Sequence, residues 1–148
     1  MAQHTAAGGF SEQERAAMKD RAAELRQEAL AGRGPKAAAG ERAVQKKIAK
    51  LPEPHRALAA RLHAVVTAAA PELEPRLWYG QPAYARRGDV VCFFRSGHVG
   101  KTRYTVLGFT DQAALDDAGG LWPTSYAVAE LTPQSEEEIT EVVQRAAG

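Results

Sequence analysis

Leu77-Trp78-Tyr79-Gly80-Gln81-Pro82-Ala83-Tyr84 separates two halves of different chemistry. Before it the sequence is alanine-rich, with apolar residues at helical spacing; after it aromatic and β-branched residues alternate. The stretch holds one of the two tryptophans and two of the four tyrosines. Residues 76–79 and 83–86 read as short extended pieces, with Gly80-Gln81-Pro82 as a bend at a sheet edge. A bend lined by Trp78, Tyr79, Gln81 and Tyr84 is one way to build a small pocket. In a two-layer domain the same aromatics serve equally well as core.

Downstream, Arg87-Gly88-Asp89 supplies a turn, and residues 89–95 form the clearest strand. Strict alternation places Val90, Cys92 and Phe94 on one side and Val91 and Phe93 on the other. Both sides are apolar, which predicts a central strand. Ser96-Gly97-His98-Val99-Gly100 reads as a loop, and residues 102–109 as a second strand pairing back as a hairpin. Thr110 or Asp111 is expected to cap a short helix over residues 111–117, ended by Gly119-Gly120. Residues 124–131 alternate as a last strand. Thr132-Pro133 opens a final helix whose inner stripe is Ile139, Val142, Val143 and Ala146, with Glu136, Glu137 and Glu138 near the positive end of its dipole.

Upstream, residues 1–9 are small and polar and are expected to be disordered. Ser11-Glu12-Gln13-Glu14 matches a capping box, so a helix should start there and run to about residue 31. Its apolar seam is thin, with Met18 and Leu25 seven apart and Ala22 and Ala29 on the same stripe, which suggests light docking or self-association through residues 11–31. Residues 32–40 read as a linker. A second helix over 41–51 places Val44, Ile48 and Leu51 on one face; a third, over 54–70, aligns Leu58, Leu62, Val65 and Ala69, with Val66 widening the stripe. The expected architecture is α+β: helices packed on one antiparallel sheet, with residues 1–40 as a helical extension and linker and 41–148 as the domain.

Composition narrows the function classes. At 148 residues, 45% hydrophobic and 25% charged, the chain has enough material for one core. A net charge of +1 argues against general nucleic-acid binding. The charge is unevenly placed: residues 1–110 carry 18 Lys and Arg against 10 Asp and Glu, whereas residues 111–148 carry Arg145 against eight acids. Either the acidic segment folds back on the basic body, or it offers a face to a cation or a basic partner. A single cysteine, Cys92, excludes an internal disulfide, and mid-strand among Val and Phe it reads as inert packing. Met1-Ala2-Gln3-His4 lacks the basic start and apolar run of a signal peptide, and no stretch reaches membrane-spanning length, so the expectation is a cytosolic protein with no membrane association.

Chemistry-bearing patterns are sparse. His55 and His63 stand eight apart, too far for two metal ligands on adjacent helical turns, and His4 and His98 lie elsewhere. No P-loop, G-x-G-x-x-G or G-x-S-x-G is present, and no nucleophile–base pair suggests an enzyme. Arg95, His98, Lys101, Arg103 and Tyr104 gather about the second hairpin, where arginine beside aromatics suits carboxylate or phosphate groups. Residues 78–84 and 95–104 together point to a non-enzymatic module for a small ligand or a protein partner, with Trp78, Tyr79, Gln81, Tyr84, Arg95, Lys101, Arg103 and Tyr104 as its candidate residues and no cofactor.

Trp78-Tyr79-Gly80-Gln81-Pro82-Ala83-Tyr84, then Val90-Val91-Cys92-Phe93-Phe94 and Lys101-Thr102-Arg103-Tyr104, resemble the YdhG-like family, a domain of unknown function that includes a frataxin-like iron chaperone. The likeness rests on the aromatic-Gly-x-Pro-x-Tyr bend followed by a Phe-rich strand and spans about residues 42–147. It implies a compact α+β fold with helices against an antiparallel sheet. It also implies an alternative function, iron delivery through exposed carboxylates, since hard Fe ions favour oxygen ligands. The nearest candidates are Asp116, Asp117, Glu136, Glu137, Glu138 and Glu141, although the first helices are mixed or basic where an acidic ridge would be expected.

Overall fold

A computed structural model describes residues 11–31 and 36–148. The expectation of disorder for residues 1–9 lies outside them. Five helices and five strands follow in the order α1 (Glu12–Ala31), α2 (Lys36–Ala49), α3 (His55–Ala69), β1 (Glu74–Trp78), β2 (Gln81–Arg86), β3 (Asp89–Arg95), α4 (Gly97–Gly100), β4 (Thr105–Phe109), β5 (Ser125–Val128) and α5 (Pro133–Ala147). The strands form one antiparallel sheet in sequence order, β1-β2-β3-β4-β5, so β3 is central as its two apolar faces require. No helix among the described residues is long and apolar enough to cross a membrane.

One core lies between the sheet and three helices. Val44 and Ile48 of α2, Leu62, Val65 and Val66 of α3, and Ile139, Val142 and Val143 of α5 meet Tyr84, Cys92, Phe94 and Leu107 in a single buried cluster. These are the i, i+4, i+7 stripes of the sequence, now facing one side of the sheet. Helix ends are local and legible. Ser11 Oγ accepts from the Glu14 N–H while the Glu14 carboxylate accepts from the Ser11 N–H, completing the capping box of α1. Thr132 and Ser135 cap α5 in the same reciprocal way.

Several sequence expectations are corrected. The turn after β1 is Tyr79-Gly80, with φ of 52° and 77°, and not Gly80-Gln81-Pro82. Two consecutive positive φ values match the right-handed twist of a tight hairpin, so Gln81 and Pro82 belong to β2, opposite Trp78 and Leu77. Pro82 stands one residue before the β2–β3 register begins at Ala83, so its missing N–H interrupts no pairing with β3. A bulge in the β2–β3 register pairs Tyr84 with Cys92 but Ala85 with Val90. Val91 and Cys92 therefore both reach the core, and Val90, not Val91, takes the outer face.

α2 begins at Lys36, inside the expected linker, and Gly40 lets it approach β1: a Cβ there would stand 1.9 Å from the Pro75 carbonyl oxygen. No helix forms over residues 111–117. The backbone of that segment bonds at long range, Ala114 N–H donating to the Ala146 carbonyl, and Ala113 and Leu115 are buried there. The expected loop after β3 instead contains the single-turn helix α4, and β4 and β5 are shorter than alternation suggested.

Candidate functional site

Among the described residues, a concave site lies where the start of α3, the α4 turn and the end of β5 converge. Ser96 Oγ accepts from the His98 N–H and caps α4. Lys101, at φ 57°, closes the turn, and Thr102 N–H returns to the Gly97 carbonyl. Position 97 admits only glycine, because a Cβ would lie 2.8 Å from both the Thr102 and Tyr104 carbonyl oxygens. This tight reversal delivers Arg103 and Tyr104 to a cleft of 430 Å³ with His55, Leu58 and Arg61 of α3 and Val128 to Leu131 after β5. A volume of this size is in the range that takes a small ligand.

Its walls divide by chemistry. Leu58, Val128 and Leu131 are apolar, and the Tyr104 ring lies 5.3 Å from the Arg103 guanidinium. The His55 and His98 rings pack at 5.3 Å beside it. Arg61 is already engaged: its guanidinium grips Glu136 with two bonds of 2.7 Å. Hydrogen bonding to that partner, then its charge, raises the Arg61 pKa and lowers the Glu136 pKa. Arg103 has no carboxylate partner among the described residues. Glu130 also lines the cleft. The cleft thus offers one cation free for a planar anion, with an aromatic ring beside it.

The residues singled out from sequence lie in three places. Arg103 and Tyr104 line the cleft, with Lys101 exposed on the same turn and Arg95 packed against Gly100. Trp78, Tyr79 and Gln81 sit at the β1–β2 hairpin end. There Trp78 meets Phe93 on the face opposite the helices, and Tyr79, 52% exposed, lies under the Arg21 guanidinium of α1. Tyr84 is in the core. Its hydroxyl lies 2.7 Å from His63 Nδ1, and His63 Nε2 lies 2.9 and 3.0 Å from the two Glu41 oxygens. One tautomer satisfies every group: Tyr84 donates to Nδ1, and Nε2–H donates to the carboxylate.

Environment sets the protonation of this chain. Burial holds the Tyr84 phenol well above its usual range. Burial alone would raise Glu41, but hydrogen bonds from His63 and Gln45 outweigh it and leave its carboxyl below the ordinary value. Burial likewise pushes the Cys92 thiol up to about 12, leaving it without thiolate character.

Sequence reasoning missed Glu41 and His63 as partners of Tyr84, and His55 and Arg61 as cleft residues. The signal for the first pair was His63 itself, set between Leu62 and Val66 on a buried helix face, where a polar ring needs partners.

The six carboxylates considered for iron do not converge. Among the described residues no three His, Cys, Asp or Glu side chains form a group that could hold a metal ion. Asp116 and Asp117 lie in the segment before β5, and Glu136 is committed to Arg61. Comparison with family models, with curated proteins and with solved structures gives no match to this chain.

Proposed function

We propose that this chain is a binding module for a small ligand that carries an anionic group on an apolar or aromatic body, taken up in the cleft of His55, Leu58, Arg103 and Tyr104. The observation that carries this reading is Arg103: an arginine without a carboxylate partner among the described residues, held beside Tyr104 in a 430 Å³ cleft whose lining includes Leu58, Val128 and Leu131. A guanidinium fork matches a carboxylate or phosphate, and Leu58, Val128 and Leu131 suit the body of such a ligand. Binding rather than catalysis is favoured because, among the described residues, the Glu41–His63–Tyr84 relay lies outside the cleft and directs its histidine at a phenol with no solvent exposure. The YdhG-like assignment belongs to the same proposal and rests on the motif order of residues 78–104, together with helices packed on an antiparallel sheet. Iron delivery has no comparable cluster behind it.

The test is a thermal-shift and calorimetric comparison of benzoate and phenyl phosphate on the native chain and on Arg103→Ala and Tyr104→Ala. Saturable binding that both substitutions weaken is the expected result. Binding that neither substitution alters, or none at millimolar ligand, rejects the cleft as the site.

A further inference from the structure

The helical layer has a solvent face that adjoins the cleft at Arg61. α3 packs against both α2 and α5, so the layer reads α2, α3, α5 across the sheet. Each helix shows the solvent a different chemistry. On α2 the exposed residues include Lys36, Arg42 and Lys46, continued by Lys50 just beyond the helix; Arg42, Lys46 and Lys50 are four apart and form one stripe. The one acid of α2, Glu41, is turned onto His63 and Gln45, so it does not offset that charge.

On α3 the exposed row is Ala60, Ala64 and Ala68, again four apart. A groove of 940 Å³ runs from that row to α5; Val65 and Ala69 line it together with Thr140 and the Arg61–Glu136 pair. On α5 the exposed residues include Glu137, Glu138 and Glu141. Among the described residues, none of Arg42, Lys46, Lys50, Glu137, Glu138 and Glu141 takes part in an ion pair.

A face ordered as basic ridge, alanine trough and acidic ridge is complementary to itself. Rotation by a two-fold axis running along α3 sets α5 of one copy over α2 of the other, and does so twice. The alanine row, with nothing beyond Cβ, lets α3 approach its mate closely. We propose that this face joins two copies of the chain in a symmetric dimer, with Arg42, Lys46 and Lys50 of each copy opposite Glu137, Glu138 and Glu141 of the other.

The dimensions suit a weak association. Helices of 14 and 15 residues are about 21–22 Å long. At a spacing of about 8–10 Å, three of them cover on the order of 500–600 Å² per copy. Both copies together then bury about 1,000–1,200 Å², the low end for a specific interface. Charge pairs at the rim of such a contact are screened by salt, so the dimer is expected to dissociate as ionic strength rises.

Sedimentation equilibrium of the full chain tests this. At low salt and high protein concentration the native protein is expected at twice its 15.9 kDa, falling to the monomer mass in about 1 M salt. Lys46→Glu/Lys50→Glu and Glu137→Lys/Glu141→Lys should each be monomeric while keeping the native unfolding temperature, since all four sites are exposed. Mixed in equal amounts, the two variants should form a heterodimer, because both contacts are then again opposite in sign. A native protein that stays monomeric at low salt overturns the proposal. So does a dimer that survives both charge reversals, or one lost only on Met18→Glu, which would place the contact on α1.

Discussion

Tyr84 and Tyr104 lie twenty residues apart in the aromatic half of the chain, and both come from stretches that read as ligand-binding, yet they meet opposite environments. Tyr84 is sealed beneath the helical layer, its hydroxyl consumed by His63 and, through it, Glu41. Tyr104 is half-buried in the wall of an open cleft, beside an arginine that has no carboxylate partner among the described residues. The difference is one of placement. β2 runs under α2 and α3, so its inward aromatic becomes core and needs a polar chain to satisfy its hydroxyl. The segment between α4 and β4 emerges past the start of α3, so its aromatic stays partly exposed in the cleft. Under the proposed function, the first tyrosine belongs to stability and the second to recognition.

The strongest way to break this division is at His63. His63→Ala would leave the Tyr84 hydroxyl and the Glu41 carboxylate without their partner and open a void, a loss of about 2–4 kcal/mol in denaturant unfolding. Ligand binding at the cleft should survive in the fraction that remains folded. A loss below about 0.5 kcal/mol would mean that the chain of hydrogen bonds is not structural. The reciprocal change, Arg103→Ala, should weaken benzoate or phenyl phosphate by about tenfold or more, the worth of one charged hydrogen-bonded contact, and move stability by under about 0.5 kcal/mol. An unfolding temperature that falls in step with affinity would merge the two regions again.

The pH dependence sharpens the same contrast. The folded pKa of Glu41 lies below its unfolded value, so its stabilisation is present above the ordinary carboxylate range and is lost as pH falls through that range to the depressed folded value. Its side chain remains 38% exposed, so screening keeps the effect within about 1 kcal/mol. Stability of the native chain, followed by urea midpoints between about pH 5 and 3, should therefore fall more steeply than that of Glu41→Gln. Parallel curves would remove Glu41 from the account.

Local chemistry made much of this fold legible. Ser11 and Glu14, three residues apart, announce α1, and the core stripes of α2, α3 and α5 follow from helical spacing. What stayed hidden depends on partners distant in sequence. Ala114 bonds to Ala146 and thereby cancels an otherwise reasonable helix, while Arg61 reaches Glu136 across 75 positions and Glu41 reaches His63 across 22. The first hairpin was misplaced for a different reason. Tyr79 occupies a left-handed backbone position that asparagine or glycine usually fills, so its turn chemistry gave no warning.

That strain gives the smallest expected effect. Tyr79→Asn should relieve the backbone but forfeit the Arg21 contact, for a net change within about 0.5–1 kcal/mol in thermal unfolding. A larger loss would show that the hairpin end is held by its aromatic ring rather than by Gly80.

The cleft itself is tested most directly by an amide-resolved NMR titration of the full chain with phenyl phosphate. Saturable shifts confined to Gly97, Arg103, Tyr104 and Val128 to Leu131, and absent in Arg103→Ala, are the predicted result. Shifts that centre on Trp78 and Tyr79, or that persist unchanged in Arg103→Ala, would contradict it.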